Sequence, residues 1–128
     1  MKLNLIYEKT FNFAIQIVNL YKHLSTQKKE FVLSKQLLRS GTSVGANVNE
    51  AIQAQSKKDF LSKMNIALKE SSETKYWLSL LYRTDYINKK IFDTIFSECD
   101  QINGMLISIV KTTKHNLEIE NLISQNKK

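Results

Sequence analysis

Glu50, Glu70 and Glu73 come nearest to a catalytic set in this chain. Carboxylates at helical spacing serve as general acids and bases, or bridge a pair of metal ions inside a helical bundle. Di-metal bundles also place a histidine three residues after a glutamate on facing helices. The two histidines, His23 and His115, have no acid at that spacing. The three glutamates therefore read as ion-pair partners for Arg39, Lys69 and Lys75, with no catalytic residue, metal or cofactor expected. Cys99, the only cysteine, falls on an apolar helical seam and reads as a small buried hydrophobe rather than a nucleophile. The serines have no His–Asp arrangement to activate them. Trp77, with Tyr76 and Tyr82, could stack on a base, but at helical spacing these rings are better read as packing against the core or another subunit. The residue set points away from an enzyme.

Basic residues are the more suggestive feature. The 128 residues carry a net charge of +7, divided as +2, +2, +2 and +1 over residues 1–25, 26–55, 56–87 and 88–128. Such an excess favours anionic partners, yet no segment is a basic arm, so folding or assembly must create any patch. Lys28–Lys29, Lys57–Lys58 and Lys89–Lys90 each fall at or near an expected helix start. Cations there oppose the helix dipole by about 0.3–1 kcal/mol each, so these lysines do not serve helix stability. In an up-down bundle, one end gathers Lys22, Lys28, Lys29, Arg83, Lys89 and Lys90 against Glu30, Asp85 and Asp93. These six are the candidate nucleic-acid contacts. The plainer reading is a solvated, solubilising surface.

Four apolar-periodic segments must position these residues. The first spans about 5–24, with Phe11, Ala14, Ile15, Val18 and Tyr21 on one stripe and Phe13, Ile17, Leu20 and Leu24 beside it. The second spans about 29–55 and presents Leu37, Gly41, Val44, Val48, Ala51 and Ile52. Ser56 to Asp59 reads as a capping box opening the third, whose face is Phe60, Met64, Ala67, Leu68, Ser71, Thr74, Leu78 and Leu81. Asn88 caps the fourth, with Ile91, Ile95, Cys99, Ile102, Leu106 and Ile109 in a near-heptad seam. There is no proline, and short polar breaks separate the segments. The fold expected is all-α, an up-down-up-down four-helix bundle over residues 1–114. Residues 115–128 are expected as a polar extension, partly helical and frayed at its end.

Gly41 and Gly45 interrupt the second segment, each about 1 kcal/mol worse than alanine inside a helix. The apolar repeat keeps phase across them, which predicts a continuous helix whose small residues let another helix backbone approach. A loop at 40–43, "SGTS", is the competing reading. A phosphate-cradling loop is not, since the Walker spacing and its lysine are missing.

The stretches "QLLRSGTSVGANVNEA", "ALKESSETKYWLSLL" and "FSECDQINGMLISIVKT" strongly resemble a bacterial four-helix-bundle family encoded by intervening sequences in 23S rRNA genes. The resemblance covers roughly residues 10–114. It implies a left-handed bundle assembling into a ring-shaped homopentamer, with no established enzymatic activity. The family is similar in fold to the accessory variability protein of diversity-generating retroelements, a basic pentamer that engages nucleic acid and a reverse transcriptase. The motif positions are Arg39, Ser43, Asn47 and Glu50 with Gly41 and Gly45 on the second segment, and Glu70, Glu73 and Trp77 on the third. Two departures stand out: Asp85 where relatives often have a turn glycine, and Asn49 where they often have alanine. Aspartate tolerates a left-handed turn, and Asn49 points to a polar surround for Glu50.

The functional expectation is a non-enzymatic homopentameric scaffold with a basic surface that binds RNA or DNA and recruits a nucleic-acid enzyme. The alternative is a protein-interaction or structural module with no nucleic-acid role. The opening "MKLNLIYEKT" has no long apolar run before Glu8 and so does not read as a signal peptide. No apolar run approaches the roughly 20 residues needed to span a bilayer, so no membrane partner and a cytoplasmic location are expected.

Overall fold

The computed structural model describes residues 3–126. Four helices account for nearly all of them: α1 (Leu3–Thr26), α2 (Leu33–Ile52), α3 (Lys57–Arg83) and α4 (Lys89–Asn126), with no strand among the described residues. Consecutive helices pack side by side, and α1 closes the bundle against α4 more sparsely than any other pair. The interhelix turns are too short for anything but antiparallel neighbours.

In α1 the core takes Ile6, Thr10, Phe13, Ile17, Leu20 and Leu24, a strict 3-4 repeat. The parallel stripe faces outward: Phe11 is 53% and Ile15 48% exposed. Both stripes are apolar, so periodicity alone does not say which faces inward. On α2 the core takes Ser34, Leu37, Ser40, Gly41, Val44, Val48 and Ala51. Ile52, expected on that face, is 39% exposed because the helix ends there.

The helix runs unbroken through residues 41–45. The glycines face α1 of the same chain. A Cβ on Gly41 would lie 2.8 Å from both Cγ1 and Cγ2 of the buried Ile17, and one on Gly45 would lie 3.2 Å from the Thr10 carbonyl oxygen. The lost helix propensity is offset by a close α1–α2 approach that a methyl group would wedge apart.

Polar groups inside the bundle are paired. Thr74 Oγ1 donates to Ser40 Oγ at 3.0 Å, joining α3 to α2, and Asn103 Nδ2 donates to Ser71 Oγ at 2.7 Å, joining α4 to α3. Among the described residues no buried side-chain nitrogen or oxygen lacks a partner. Such a network fixes register as well as satisfying its members.

Helix ends follow their capping chemistry. Ser56 accepts from the Asp59 amide at 3.0 Å and Asn88 from the Ile91 amide at 2.8 Å, as expected. The α3–α4 turn is a Schellman motif: the Tyr86 amide reaches the Leu81 carbonyl, the Asp85 amide reaches that of Tyr82, and Asp85 sits at φ 68°. The α1–α2 turn differs from expectation. The second helix starts at Leu33 rather than near Lys29, and Lys29 occupies the left-handed region at φ 54°. Its start is fixed by Glu30, whose carboxylate accepts from the amides of Val32 (3.1 Å), Leu33 (2.9 Å) and Ser34 (2.7 Å). That leaves Lys28 and Lys29 on the turn, outside the helix.

Beyond Lys114 the helix continues without a break to Asn126. At about 1.5 Å per residue, α4 is roughly 57 Å long against roughly 30 Å for α2, so its end projects past the bundle. Lys57 at the start of α3 forms an ion pair with Glu120 on this projection. Residues 127 and 128 of the expected extension lie outside the described residues.

Candidate nucleic-acid interface

The antiparallel connectivity brings the α1–α2 and α3–α4 turns to one end of the bundle. A groove of about 400 Å³ there is lined by His23, Lys28, Asp85, Tyr86, Ile87, Asn88 and Ile91, residues of both turns. The structure places Lys28 and Lys29 on one turn, Arg83 on the last residue of α3, and Lys89 and Lys90 on the first residues of α4. All are exposed, as is Lys22 on the last turns of α1. Lys22 lies toward the outer face, beside Phe11, Ala14, Ile15 and Val18.

Charge pairing sorts the six. Lys89 Nζ lies 2.7 Å from Asp93 Oδ2, one turn on, and this carboxylate raises the lysine's pKa. Among the described residues the other five cations form no ion pair. Of the three anions, Asp93 is held by Lys89, while Asp85 is exposed and lines the groove with Lys28. Burial alone would push the Glu30 carboxyl up, but the amides of Leu33, Ser34 and Val32 hold it below its ordinary value, so it stays ionised and turned into the α2 terminus. Asp85 sits in the turn itself. What the arrangement can do is pair with phosphates: exposed lysines present mobile, hydrated point charges that meet a phosphate without being buried.

The motif residues form a second, separate cluster. Arg39 on α2 donates to Glu70 at 2.8 Å and pairs with Glu73, both on α3, and Glu73 also accepts from Trp77 Nε1 at 3.2 Å. Ser43 donates to the Arg39 carbonyl and Asn47 to that of Ser43, so both bond within their own helix. Glu50 stands apart, facing Lys63 at 4.0 Å. Asn49 gives it no polar surround: it lines a groove with Tyr7, Phe11, Thr42, Gly45 and Ala46 on the α1 side. Lys75, expected near these glutamates, instead bonds Asp100 on α4 at 2.7 Å. The cluster clamps α2 to α3, and every one of its carboxylates has a partner.

Cys99 is fully buried, its thiol within 3.4 Å of the Ser71 carbonyl, and burial pushes its pKa up to about 12. It is no nucleophile at neutral pH. Among the described residues no three His, Cys, Asp or Glu side chains assemble into a metal-holding group. No described helix is long and apolar enough to cross a membrane. Sequence reasoning missed Glu30 as anything but a charge; its signal is an acid three residues before the first helical residue.

Four antiparallel helices with no strand among the described residues, and cations collected at one end, define an all-α four-helix bundle. A family model described as 23S rRNA-intervening sequence protein matches residues 2–108, and the chain belongs to that family. Among solved structures it is similar to a protein of unknown function from the S23 ribosomal protein family of Bacteroides thetaiotaomicron, at 57% identity and a TM-score of 0.85. The match covers 87% of this chain and 99% of that one. A search of curated proteins finds no match. The projecting end of α4 lies beyond the residues that the family model matches.

Proposed function

We propose that the protein is a non-enzymatic scaffold that assembles as a homopentameric ring, binds nucleic acid through its basic end and recruits a nucleic-acid enzyme there. The observation that carries the nucleic-acid reading is the convergence of Lys28, Lys29, Arg83, Lys89 and Lys90 from two turns onto one end, with only Lys89 paired. Repeated around a ring, that end becomes a rim of phosphate contacts, and affinity then falls steeply with salt. The outward stripe of α1, with Phe11 and Ile15 half exposed and Phe11 beside the small residues Thr42, Gly45 and Ala46 of α2, supports self-association.

Fluorescence anisotropy with labelled RNA and DNA fragments tests the reading. Binding is expected to weaken by tenfold or more between about 50 and 200 mM salt, the behaviour of several simultaneous phosphate contacts. Replacing Lys28, Lys29, Lys89 and Lys90 with glutamate should abolish it. Salt-insensitive binding, no binding at low salt, or an unaffected quadruple variant sinks the proposal. In that event the exposed α1 stripe favours the second reading, a protein-interaction module without a nucleic-acid role.

A further inference from the structure

The seam between α3 and α4, leading away from the basic end, carries three aromatic rings in a row. Tyr82 and Phe92 stack at 4.5 Å between centroids with planes 16° apart, and Phe92 meets Phe96 at 4.9 Å and 32°. All three pack against the core from outside it and keep part of their surface exposed. A lysine stands at each end of the row. Lys75 Nζ lies over the Phe96 ring, 5.3 Å from its centroid, while Lys89 starts α4 at the basic end. Each lysine is held by an exposed aspartate, Lys75 by Asp100 and Lys89 by Asp93, both at 2.7 Å. Both aspartates are exposed, and ion pairs that water reaches add little stability, so a phosphate can replace either aspartate at small cost.

We propose that this row is a stacking platform for single-stranded nucleic acid. A strand held at the basic end runs down the α3–α4 seam, a base takes the place of the Lys75 ammonium over Phe96, and Lys75 and Lys89 turn to its phosphates. The inference rests on the nucleic-acid reading above and narrows it. A duplex keeps its base faces stacked inside the helix, where the rings of a surface seam do not reach them, whereas an unpaired base offers a free π-face. Stacking on an aromatic side chain contributes about 1–3 kcal/mol per base, and about 1.4 kcal/mol is tenfold in affinity. The seam itself is charge-balanced, Lys75 against Asp100 and Lys89 against Asp93, so the rings supply its attraction for a base and the basic end supplies the attraction for phosphate.

The test compares unstructured oligo(U) and oligo(dT) strands with a duplex of equal length, at one salt concentration, by anisotropy. Both strands are expected to bind at least tenfold tighter than the duplex. Phe96→Leu should lose about tenfold for the strands, leave duplex binding and the salt slope unchanged, and regain affinity as Phe96→Tyr. Far-UV circular dichroism and a thermal melt establish that the variants fold. On the unaltered protein, photocrosslinking of an iodouracil-bearing strand should map to Phe96 or Tyr82. Duplex and strands binding equally with Phe96→Leu unaffected, or crosslinks confined to the two turns, overturns the platform while leaving the nucleic-acid reading intact. Preference for only one of the two sugars also overturns it, because stacking does not read the 2′-hydroxyl. If neither strand nor duplex binds at low salt, the underlying reading falls.

Discussion

The carboxylate of Glu30 holds the first turn of α2 by three amide hydrogen bonds, and that makes its charge part of the fold's stability. Its folded pKa lies below the ordinary 4.5. The unfolded state therefore takes up the proton first as pH falls. The contribution is fully present above about pH 4.5 and is lost as pH drops through the lowered folded value. Glu30→Gln is expected to cost roughly 1–3 kcal/mol at neutral pH. Its gap from the unaltered protein in thermal melts should close progressively below pH 4.5; a gap that stays constant down to acid-induced unfolding would show that the charge does not matter. Gly41 gives a second residue-scale outcome. Gly41→Ala should destabilise by about 1–2 kcal/mol, because the clash with Ile17 outweighs the gain in helix propensity. Gly104, whose added Cβ meets nothing within 4 Å, serves as the control and should become more stable as alanine. A stabilising Gly41→Ala would mean that Ile17 and α1 yield more easily than their burial indicates.

At the scale of elements, the turns decide where the charges end up. Asp85 and Lys29 occupy left-handed backbone that glycine enters without strain, at a cost to other residues of roughly 1–2 kcal/mol. Asp85→Gly should therefore be neutral to stabilising by up to about 1 kcal/mol, read as a shift in chemical-denaturation midpoint at constant slope. A loss of stability would show that the aspartate side chain is itself holding the turn. The α3–α4 turn was legible, since Asn88 announces a cap by its type and the family resemblance puts a turn glycine where Asp85 stands. The α1–α2 turn was not, because Lys29 gives no sign of a positive φ and Glu30 works from outside the helix it caps. The second helix consequently begins four residues later than its sequence pattern indicates. The C-terminal stretch carries a weaker signal. Composition turns polar after Lys114, yet nothing in it breaks a helix, and the fourth helix carries on to Asn126.

For the whole molecule, the ring we propose draws its contact surface from the outward face of α1. Phe11→Ser with Ile15→Ser should leave the protomer folded, since both side chains are half exposed, and should shift native mass spectra and sedimentation from oligomer to monomer. A variant that assembles like the unaltered protein would move the self-association surface elsewhere. The same substitutions should leave phosphate contacts at the basic end in place but remove their repetition, so the salt dependence of binding should become shallower.

Apolar spacing alone determined that the chain is four helices and where most of the core lies, because a 3-4 repeat can be buried in only one kind of element. Charge and residue type likewise named the basic end, and family motifs marked Arg39, Glu70, Glu73 and Trp77 before their contacts were visible. Which of the two apolar stripes of α1 turns inward was decided only by tertiary packing: the stripe bearing Ile17 fits against Gly41, and the one bearing Phe11 is left outside. Packing also decided which carboxylates pair with which cations, and it set three aromatic rings from two helices into one row. Periodicity is a property of a single helix, whereas these outcomes depend on the distance between helices, and no local pattern encodes that distance.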